Sequence, residues 1–210
     1  MSAAGLSGRC IQGFQGHKKF TPRGLRVTPA SHLATILLAV RVLDSIQDFD
    51  RRILLILQQS QSWLARHSRG FSRTADGYCY VLIGALIALL AIDGERFLWH
   101  GALAFSLERG TYRILKNSLK RRRPPQALPD FKSHINAADE FSFPSGHASA
   151  AFLFVTLLVL HYGPLYLPLY LWSMGVAMSR VYLGVHFPTD TVMGAALGTG
   201  IALSTAYWLL

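Results

Sequence analysis

Long stretches without a charged residue alternate with short polar segments from residue 77 to the C-terminus. Residues 77–92 carry no charge, and neither do residues 191–210. Residues 141–179 are also free of Asp, Glu, Lys and Arg, although a His-Tyr-Gly-Pro run at 161–164 interrupts them. Twenty helical residues rise about 30 Å, the thickness of a bilayer's hydrocarbon core. The pattern predicts a membrane helix in each of the first two stretches and two helices joined by a tight turn in the third.

The segment between these stretches mixes apolar and charged residues. Residues 97–116 begin as an apolar helix and then carry Glu108, Arg109 and Arg113. A carboxylate inside a membrane span is costly unless it faces the interior of the bundle. We therefore favour a structural or snorkelling role for Glu108 over a catalytic one.

The first third of the chain gives a weaker pattern. Residues 33–43 are apolar but short, and Arg41 interrupts them. Residues 46–64 alternate apolar and charged positions, which is typical of an interfacial amphipathic helix. A first membrane helix within residues 31–60 stays open. The sequence therefore predicts an all-α fold, a polytopic membrane helical bundle with five or six transmembrane helices.

Composition supports a membrane setting. Of the 210 residues, 51% are hydrophobic and 15% are charged, whereas an ordinary soluble domain is about 25% charged. The net charge of +10 indicates a phosphate-rich partner, either nucleic acid or an anionic membrane. Arg180 is the single Lys or Arg after Lys132, so the basic residues are not spread over a surface as a nucleic-acid groove requires. We expect membrane lipids as partners and no nucleic acid.

The N-terminal segment differs from the rest of the chain. Residues 1–30 are polar and basic, and they lack the apolar core of a signal peptide. We expect them to be a largely disordered basic segment, followed by a membrane-embedded domain over residues 31–210. Cys10 and Cys79 provide neither a disulfide framework nor a zinc-binding spacing.

The first candidate motif lies where the helix of residues 97–116 ends. Lys116 is followed, after six residues, by Arg123 and Pro124. Alone this spacing is not specific, because the basic run at residues 120–123 satisfies many patterns. Taken alone, it is better explained as a juxtamembrane cluster on anionic headgroups.

The second candidate motif is Pro144, Ser145, Gly146 and His147, immediately before an apolar run. Ser145 can cap a helix, and Gly146 lets the backbone approach a ligand closely. Free N–H groups at a helix N-terminus also form a site for an anion. Taken alone, the motif is better explained as an ordinary capped helix with a histidine at the membrane interface.

The third candidate motif is Ser179 and Arg180, then His186 after five residues and Asp190 after three more. A carboxylate that holds one imidazole nitrogen fixes the tautomer and leaves the other nitrogen as a nucleophile or a ligand. Two alternatives remain at this point. One is an interfacial histidine with an aspartate favoured by the helix dipole, and the other is a two-ligand metal site.

The three motifs are predicted to emerge on the same face of the bundle. The first two flank the loop of residues 117–146, and the third follows two more helices. Fixed cations, a helix N-terminus and two histidines, one of them next to a carboxylate, form a site suited to holding and transferring a phosphoryl group.

This ordered set of motifs resembles the signature of the type-2 phosphatidic-acid phosphatase superfamily, which includes bacterial acid phosphatases and vanadium haloperoxidases. The motifs span residues 116–190, and the helix pattern extends the resemblance from roughly Asp76 to the C-terminus. Because the chain is predicted to lie in a membrane, it is similar to the lipid-phosphatase branch and not to the soluble haloperoxidases.

The resemblance implies a phosphatase that needs neither a metal nor another cofactor. His186 would be the nucleophile that forms a phosphohistidine, Asp190 would orient it, and His147 would protonate the leaving oxygen. The remaining signature residues would bind the non-bridging phosphoryl oxygens: Lys116, Arg123, Ser145, Gly146 and Arg180.

The membrane setting points to a lipid phosphate as the substrate. By analogy with small bacterial members of the family we favour undecaprenyl diphosphate, followed by phosphatidylglycerophosphate or phosphatidic acid. A lipid-linked phosphotransferase would carry the same motifs and is the alternative. A non-enzymatic protein that binds anionic lipid is a second and much weaker alternative.

The resemblance also implies a location. We expect an integral protein of the bacterial inner membrane with its active site on the extracytoplasmic side. Catalytic cations on that face complicate a count of positive charges, so the count itself does not set the orientation. The sequence does not indicate an oligomeric state.

Overall fold

The computed structural model describes residues 29–58, 62–129, 131–137 and 139–209. Every regular element in these ranges is helical, which confirms the predicted all-α fold. The chain divides into two compact units, Met1–Val40 and Arg41–Leu210. The predicted disordered segment lies outside the described residues except for its last two positions, and its boundary at residue 30 stays a prediction.

The N-terminal part differs from the predicted pattern. Residues 33–43 and most of 46–64 belong to one continuous helix, α1, at Pro29–Gln58. It is followed by α2 at Ser62–Arg73, which the sequence pattern did not predict, and by α3 at Gly77–Leu90. Helix α2 carries few apolar residues, so a search for charge-free stretches overlooks it.

The C-terminal helices follow the predicted stretches closely. They are α4 at Gly94–Leu119, the short α5 at Pro124–Ala127, α6 at Gly146–Tyr162, a 3₁₀ turn at Pro164–Tyr166, α7 at Leu169–Tyr182 and α8 at Pro188–Leu209. The 3₁₀ turn forms the predicted break between two helices, because a proline cannot continue the preceding helix.

Helix α6 lies at the centre of the bundle. Its residues from Ala148 to Leu158 are almost all buried, and α4, α7 and α8 pack around it. Helix α8 approaches it most closely at two glycines. A Cβ atom on Gly194 would lie 2.4 Å from the carbonyl oxygen of Ser145, and one on Gly198 would lie 2.0 Å from that of Ser149. The two helices therefore contact each other through their backbones.

The number of membrane spans is not confirmed. Among the described residues, α8 is long and apolar enough to cross a membrane by itself, and α2 from Arg66 together with α3 qualifies as one span bent by 44°. Helix α6 is apolar but shorter than a full span. The five or six transmembrane helices stay a prediction.

The loop before α6 is folded back against the bundle. The amide of Ser142 donates to the carbonyl oxygen of Arg121 at 2.8 Å, and the amide of His134 donates to that of Leu183 at 2.9 Å. A small apolar cluster beneath this loop joins α1 to the start of α8; it contains Leu54, Leu128, Phe131, Val181 and Phe187. The packing fixes the segments that carry the candidate site.

Candidate active site

The structure brings residues of all three motifs to one end of the bundle. A cavity of ≈ 760 Å³ opens there, and its polar end is lined by Arg123, Gly146, His147, Arg180 and His186. The rest of the cavity runs between α3, α4 and α6 and is lined mainly by apolar side chains such as those of Phe105 and Phe154. A polar end joined to an apolar channel suits an amphiphilic ligand.

Three buried cations come from three separate elements. Lys116 lies in the last turn of α4, Arg123 in the extended segment before α5, and Arg180 in the last turn of α7. Arg123 donates to the carbonyl oxygen of Val185 at 2.5 Å, and Arg180 donates to the hydroxyl of Ser72 at 2.7 Å. These bonds hold the guanidinium groups in place at the end of the cavity.

A carboxylate that the sequence analysis missed lies among these cations. Asp139 accepts hydrogen bonds from Lys116 and Arg123, and from the hydroxyl of Tyr112 at 2.7 Å. Burial alone would raise the pKa of Asp139, but the hydrogen bonds from Lys116 and Tyr112 and the nearby positive charges outweigh it and lower the pKa to about 2. The carboxylate of Asp139 therefore lies between Lys116 and Arg123, where another anion such as a phosphate could also bind.

The ring of His186 is oriented by a backbone carbonyl. Its Nδ1 atom lies 2.7 Å from the carbonyl oxygen of Ser142. A carbonyl oxygen can only accept, so Nδ1 carries the proton and Nε2 keeps its lone pair. Burial lowers the pKa of His186 to about 4, more than its contact with Asp190 raises it. The imidazole is therefore neutral near pH 7.

Asp190 lies near this ring but makes its shortest bonds elsewhere. Its Oδ2 atom is 3.8 Å from Nδ1 of His186, which is longer than a hydrogen bond. The same oxygen accepts from the amide of Phe187 at 2.8 Å, and Oδ1 accepts from Arg121 at 2.6 Å. The carboxylate thus fixes the turn that carries His186 and places a negative charge beside the ring.

Arg121 connects this site to α1. Its guanidinium bridges Asp190 and the fully buried Asp50, at 2.6 Å from each carboxylate. Asp50 also accepts from the amide of Thr189 at 3.0 Å, at the start of α8. The sequence analysis missed this network because Asp50 and Thr189 are 139 positions apart. No local spacing indicates such a pairing.

The start of α6 carries the second motif. His147 has its Nε2 atom 3.2 Å from Oδ1 of Asp76, the residue before α3. Ser145 lies at the N-cap, and its amide donates to the carbonyl oxygen of Asp190 at 2.9 Å. A Cβ atom on Gly146 would lie 3.1 Å from the ring of Tyr112, so glycine admits this ring beside the helix start.

Two donors of the motifs have no partner within the described residues. They are the hydroxyl of Ser145 and Nε of Arg180, and both are buried. Buried polar groups are normally hydrogen-bonded, so each unpaired one needs an explanation. The described residues contain no cluster of three or more His, Cys, Asp or Glu side chains that could hold a metal ion.

Comparison with protein families decides the identity of the chain. The model of the PAP2 superfamily matches residues 97–210. The chain belongs to the PAP2 superfamily. The matched region contains all three motifs, so the resemblance drawn from their spacing is confirmed.

Relatives of known activity place this PAP2 chain among phosphatases. It is 32% identical to the decaprenylphosphoryl-5-phosphoribose phosphatase of Mycobacterium tuberculosis over 136 aligned residues. The alignment covers 64% of this chain and 74% of the relative. It is 33% identical over 132 residues to phosphatidylglycerophosphatase B of Bacillus subtilis, covering 54% of this chain and 62% of the relative. The predicted enzyme class, a phosphatase, is confirmed.

Solved structures agree with this assignment. The chain is similar to the transmembrane PAP2-type phosphatidylglycerolphosphate phosphatase of Bacillus subtilis, with a TM-score of 0.65 and 28% identity over 84% of this chain and 92% of the other. It shares its fold with LpxE of Aquifex aeolicus, with a TM-score of 0.66 and 24% identity over 74% of this chain and 93% of the other. The PAP2 chain therefore has the fold of membrane phosphatases.

Proposed function

We propose that this PAP2 protein hydrolyses a lipid phosphomonoester through a phosphohistidine formed at Nε2 of His186. The observation that carries the proposal is the tautomer of this ring. Because Nδ1 donates to the carbonyl oxygen of Ser142, the lone pair is on Nε2, and His186 lines the polar end of the cavity. A neutral imidazole with a free lone pair is ready to attack phosphorus.

The first step forms the bond between Nε2 of His186 and phosphorus and breaks the bond from phosphorus to the lipid oxygen. His147 gives its proton to that leaving oxygen, and the carboxylate of Asp76, 3.2 Å from Nε2, partly offsets the cost of holding that proton in a half-buried ring near Arg180. The positive charge that His186 gains is stabilised by Asp190, 3.8 Å from Nδ1.

The second step returns the enzyme to its starting state. His147, now neutral, takes a proton from a water molecule whose oxygen attacks phosphorus. The bond between nitrogen and phosphorus breaks, its electron pair returns to Nε2 of His186, and inorganic phosphate leaves. His147 is protonated again at the end of the cycle.

The cations supply the electrostatic stabilisation. Lys116, Arg123 and Arg180 are buried. Arg123 and Arg180 line one end of the cavity, and Lys116 is joined to Arg123 through Asp139. The hydroxyl of Ser145 and Nε of Arg180 are donors without a partner among the described residues. Phosphoryl oxygens would accept hydrogen bonds from both of them and from the amide of Gly146. These donors are fixed before the reaction, so little reorganisation is needed in the transition state.

The relatives suggest the class of substrate. One is named for decaprenylphosphoryl-5-phosphoribose and another for phosphatidylglycerophosphate. In each of these lipids a terminal phosphomonoester is removed, and a second phosphate joins the headgroup to the lipid. We therefore propose a lipid phosphomonoester as the substrate in preference to undecaprenyl diphosphate, which the sequence analysis favoured. The proposed site faces the extracytoplasmic side of the bacterial inner membrane.

A substrate panel on the purified protein in detergent tests this function. We expect phosphate release from phosphatidylglycerophosphate or phosphatidic acid that exceeds release from undecaprenyl diphosphate and persists in EDTA. His186→Ala should abolish turnover. His147→Ala should lose about 10² to 10⁴-fold on lipids and less on p-nitrophenyl phosphate, whose leaving group needs less protonation.

His134→Ala is the matched control, because His134 is exposed in the loop before α6. It should keep wild-type activity. Residual turnover in His186→Ala, or a requirement for Mg²⁺ after chelation, would contradict the phosphohistidine mechanism. Phosphate that appears on an added lipid or sugar alcohol instead of in solution would identify a phosphotransferase.

A further inference from the structure

One face of α4 lines the cavity along its length. The lining residues Phe97, Gly101, Phe105, Arg109 and Tyr112 are three or four positions apart, as expected for one side of a helix. Along this face, Arg109 is the first charged residue after the apolar end, and it precedes the phosphate site by two turns. It belongs to none of the signature motifs.

Arg109 is held by a carboxylate that the proposed mechanism does not use. Glu108 is fully buried, and it accepts from Nε of Arg109 at 2.5 Å and from NH2 at 2.6 Å. This bidentate pair uses one edge of the guanidinium. Within the described part of the chain the NH1 group of Arg109 has no hydrogen-bond partner, so two N–H donors remain free.

Tyr112 sets the distance between this arginine and the phosphate site. The Cζ atom of Arg109 and the Nζ atom of Lys116 each lie 4.5 Å from the centroid of its ring. The two positive charges are therefore at most twice that distance apart. Two phosphates separated by a three-carbon or pentose unit lie about 6–8 Å apart, given bonds of about 1.5 Å. The two cations are therefore close enough to contact two such phosphates of one substrate.

We propose that Arg109, oriented by Glu108, binds a second phosphate of the substrate, the phosphodiester that joins the headgroup to the lipid. This inference rests on the proposed function and specifies its substrate class. The order of groups along the cavity matches the order in such a lipid: the terminal monoester at the cations, the diester at Arg109 and the tail in the apolar part. Arg109 thus selects lipids with two phosphates over phosphatidic acid.

The test compares two substrates with the same acyl chains, phosphatidylglycerophosphate and phosphatidic acid. In Arg109→Met the ratio of their kcat/KM values should fall about tenfold or more, mainly through KM of the first substrate, because one charge-assisted hydrogen bond is lost. Glu108→Gln should lower the ratio in the same direction. Arg113→Met, an exposed arginine one turn further along α4, should keep the wild-type ratio.

A ratio that stays at the wild-type value in Arg109→Met overturns the inference, even when both rates fall, because equal losses indicate a structural role. A second measurement separates this failure from that of the proposed function. Phosphatidylglycerol carries the diester but no monoester, and it should inhibit p-nitrophenyl phosphate hydrolysis by the wild type at least tenfold more strongly than hydrolysis by Arg109→Met. Equal inhibition of the two proteins also overturns the inference. Absence of lipid hydrolysis by the wild type refutes the proposed function instead.

Discussion

Asp139 places a negative charge beside Lys116 and Arg123, the cations that are proposed to bind the negatively charged phosphate of the substrate. With a pKa lowered to about 2, its carboxylate stays ionised across the range in which enzymes are assayed. It neutralises part of the charge of Lys116 and Arg123. A phosphate must share these cations with the carboxylate or displace it, so Asp139 weakens the binding of free phosphate.

We therefore predict that Asp139→Asn lowers the inhibition constants of inorganic phosphate and vanadate about tenfold. Asparagine keeps the shape of the side chain and removes the repulsion between two anions a few ångströms apart. Competitive inhibition of p-nitrophenyl phosphate hydrolysis provides the measurement, and Glu140→Gln, an exposed neighbour, is the control. Weaker inhibition in Asp139→Asn would mean that the carboxylate chiefly positions the cations.

At this scale the sequence predicted side chains but not their partners. Motif spacing indicated that Arg123, His147, Arg180 and His186 belong to one site, and they line one cavity. The carbonyl oxygen of Ser142, which orients His186, has no signature, because every residue carries such a group. Asp139 lies in an irregular loop where no periodicity indicates its direction.

The contact between α6 and α8 determines how the second and third motifs face each other. His147 lies in the first turn of α6, and Asp190 lies in the first turn of α8. Because Gly194 and Gly198 bring the two backbones together, a methyl group at either position must push the helices apart. A displacement of about 1 Å can lower a catalytic rate about 10²-fold.

Gly198→Ala is accordingly expected to lower kcat at least tenfold and to destabilise the fold by about 1–3 kcal/mol. Thermal unfolding in detergent and p-nitrophenyl phosphate turnover measure the two effects. Gly200→Ala is the matched control on the same helix, because no atom lies within 4 Å of its added Cβ. If both variants behave like the wild type, the close approach does not control the geometry of the site.

The elements were predictable where hydrophobicity alone determines them. The charge-free stretches gave α3, α6, α7 and α8 with small errors at their ends. The sequence left the continuous α1 open as one of two alternatives, because its charged positions resemble those of an interfacial helix. Its Asp50 is instead buried against Arg121 and the start of α8. Only the packed structure shows that these charges have partners.

The burial of His186 is a property of the whole molecule and gives the enzyme an expected pH profile. An exposed histidine titrates near pH 6.5, whereas burial lowers the pKa of His186 to about 4. The nucleophile is active when unprotonated, so its activity is lost only as the pH falls toward 4. The lowered pKa also means that folding stability decreases as the pH falls from about 6.5, since the unfolded chain then binds the proton more readily.

We expect kcat/KM for p-nitrophenyl phosphate, corrected for ionisation of the substrate, not to fall between pH 7 and pH 5.5, because His186 stays unprotonated while the general acid His147 gains its proton over the same range. An acidic limb should appear below about pH 5. Stopped assays in overlapping buffers measure the profile, and far-ultraviolet circular dichroism at each pH excludes unfolding. An acidic limb centred near pH 6.5 would show that His186 is solvated in the working enzyme.

Residues outside the family-matched region hold those inside it. The match begins at residue 97, yet Asp50 binds the start of α8, Ser72 accepts from Arg180, and Asp76 contacts His147. A ribosome makes these three residues before it makes Arg180, His186 and Asp190. A nascent chain therefore contains the residues that support the site before it contains the nucleophile, so catalysis cannot start until the segment with His186 has been made and folded against them.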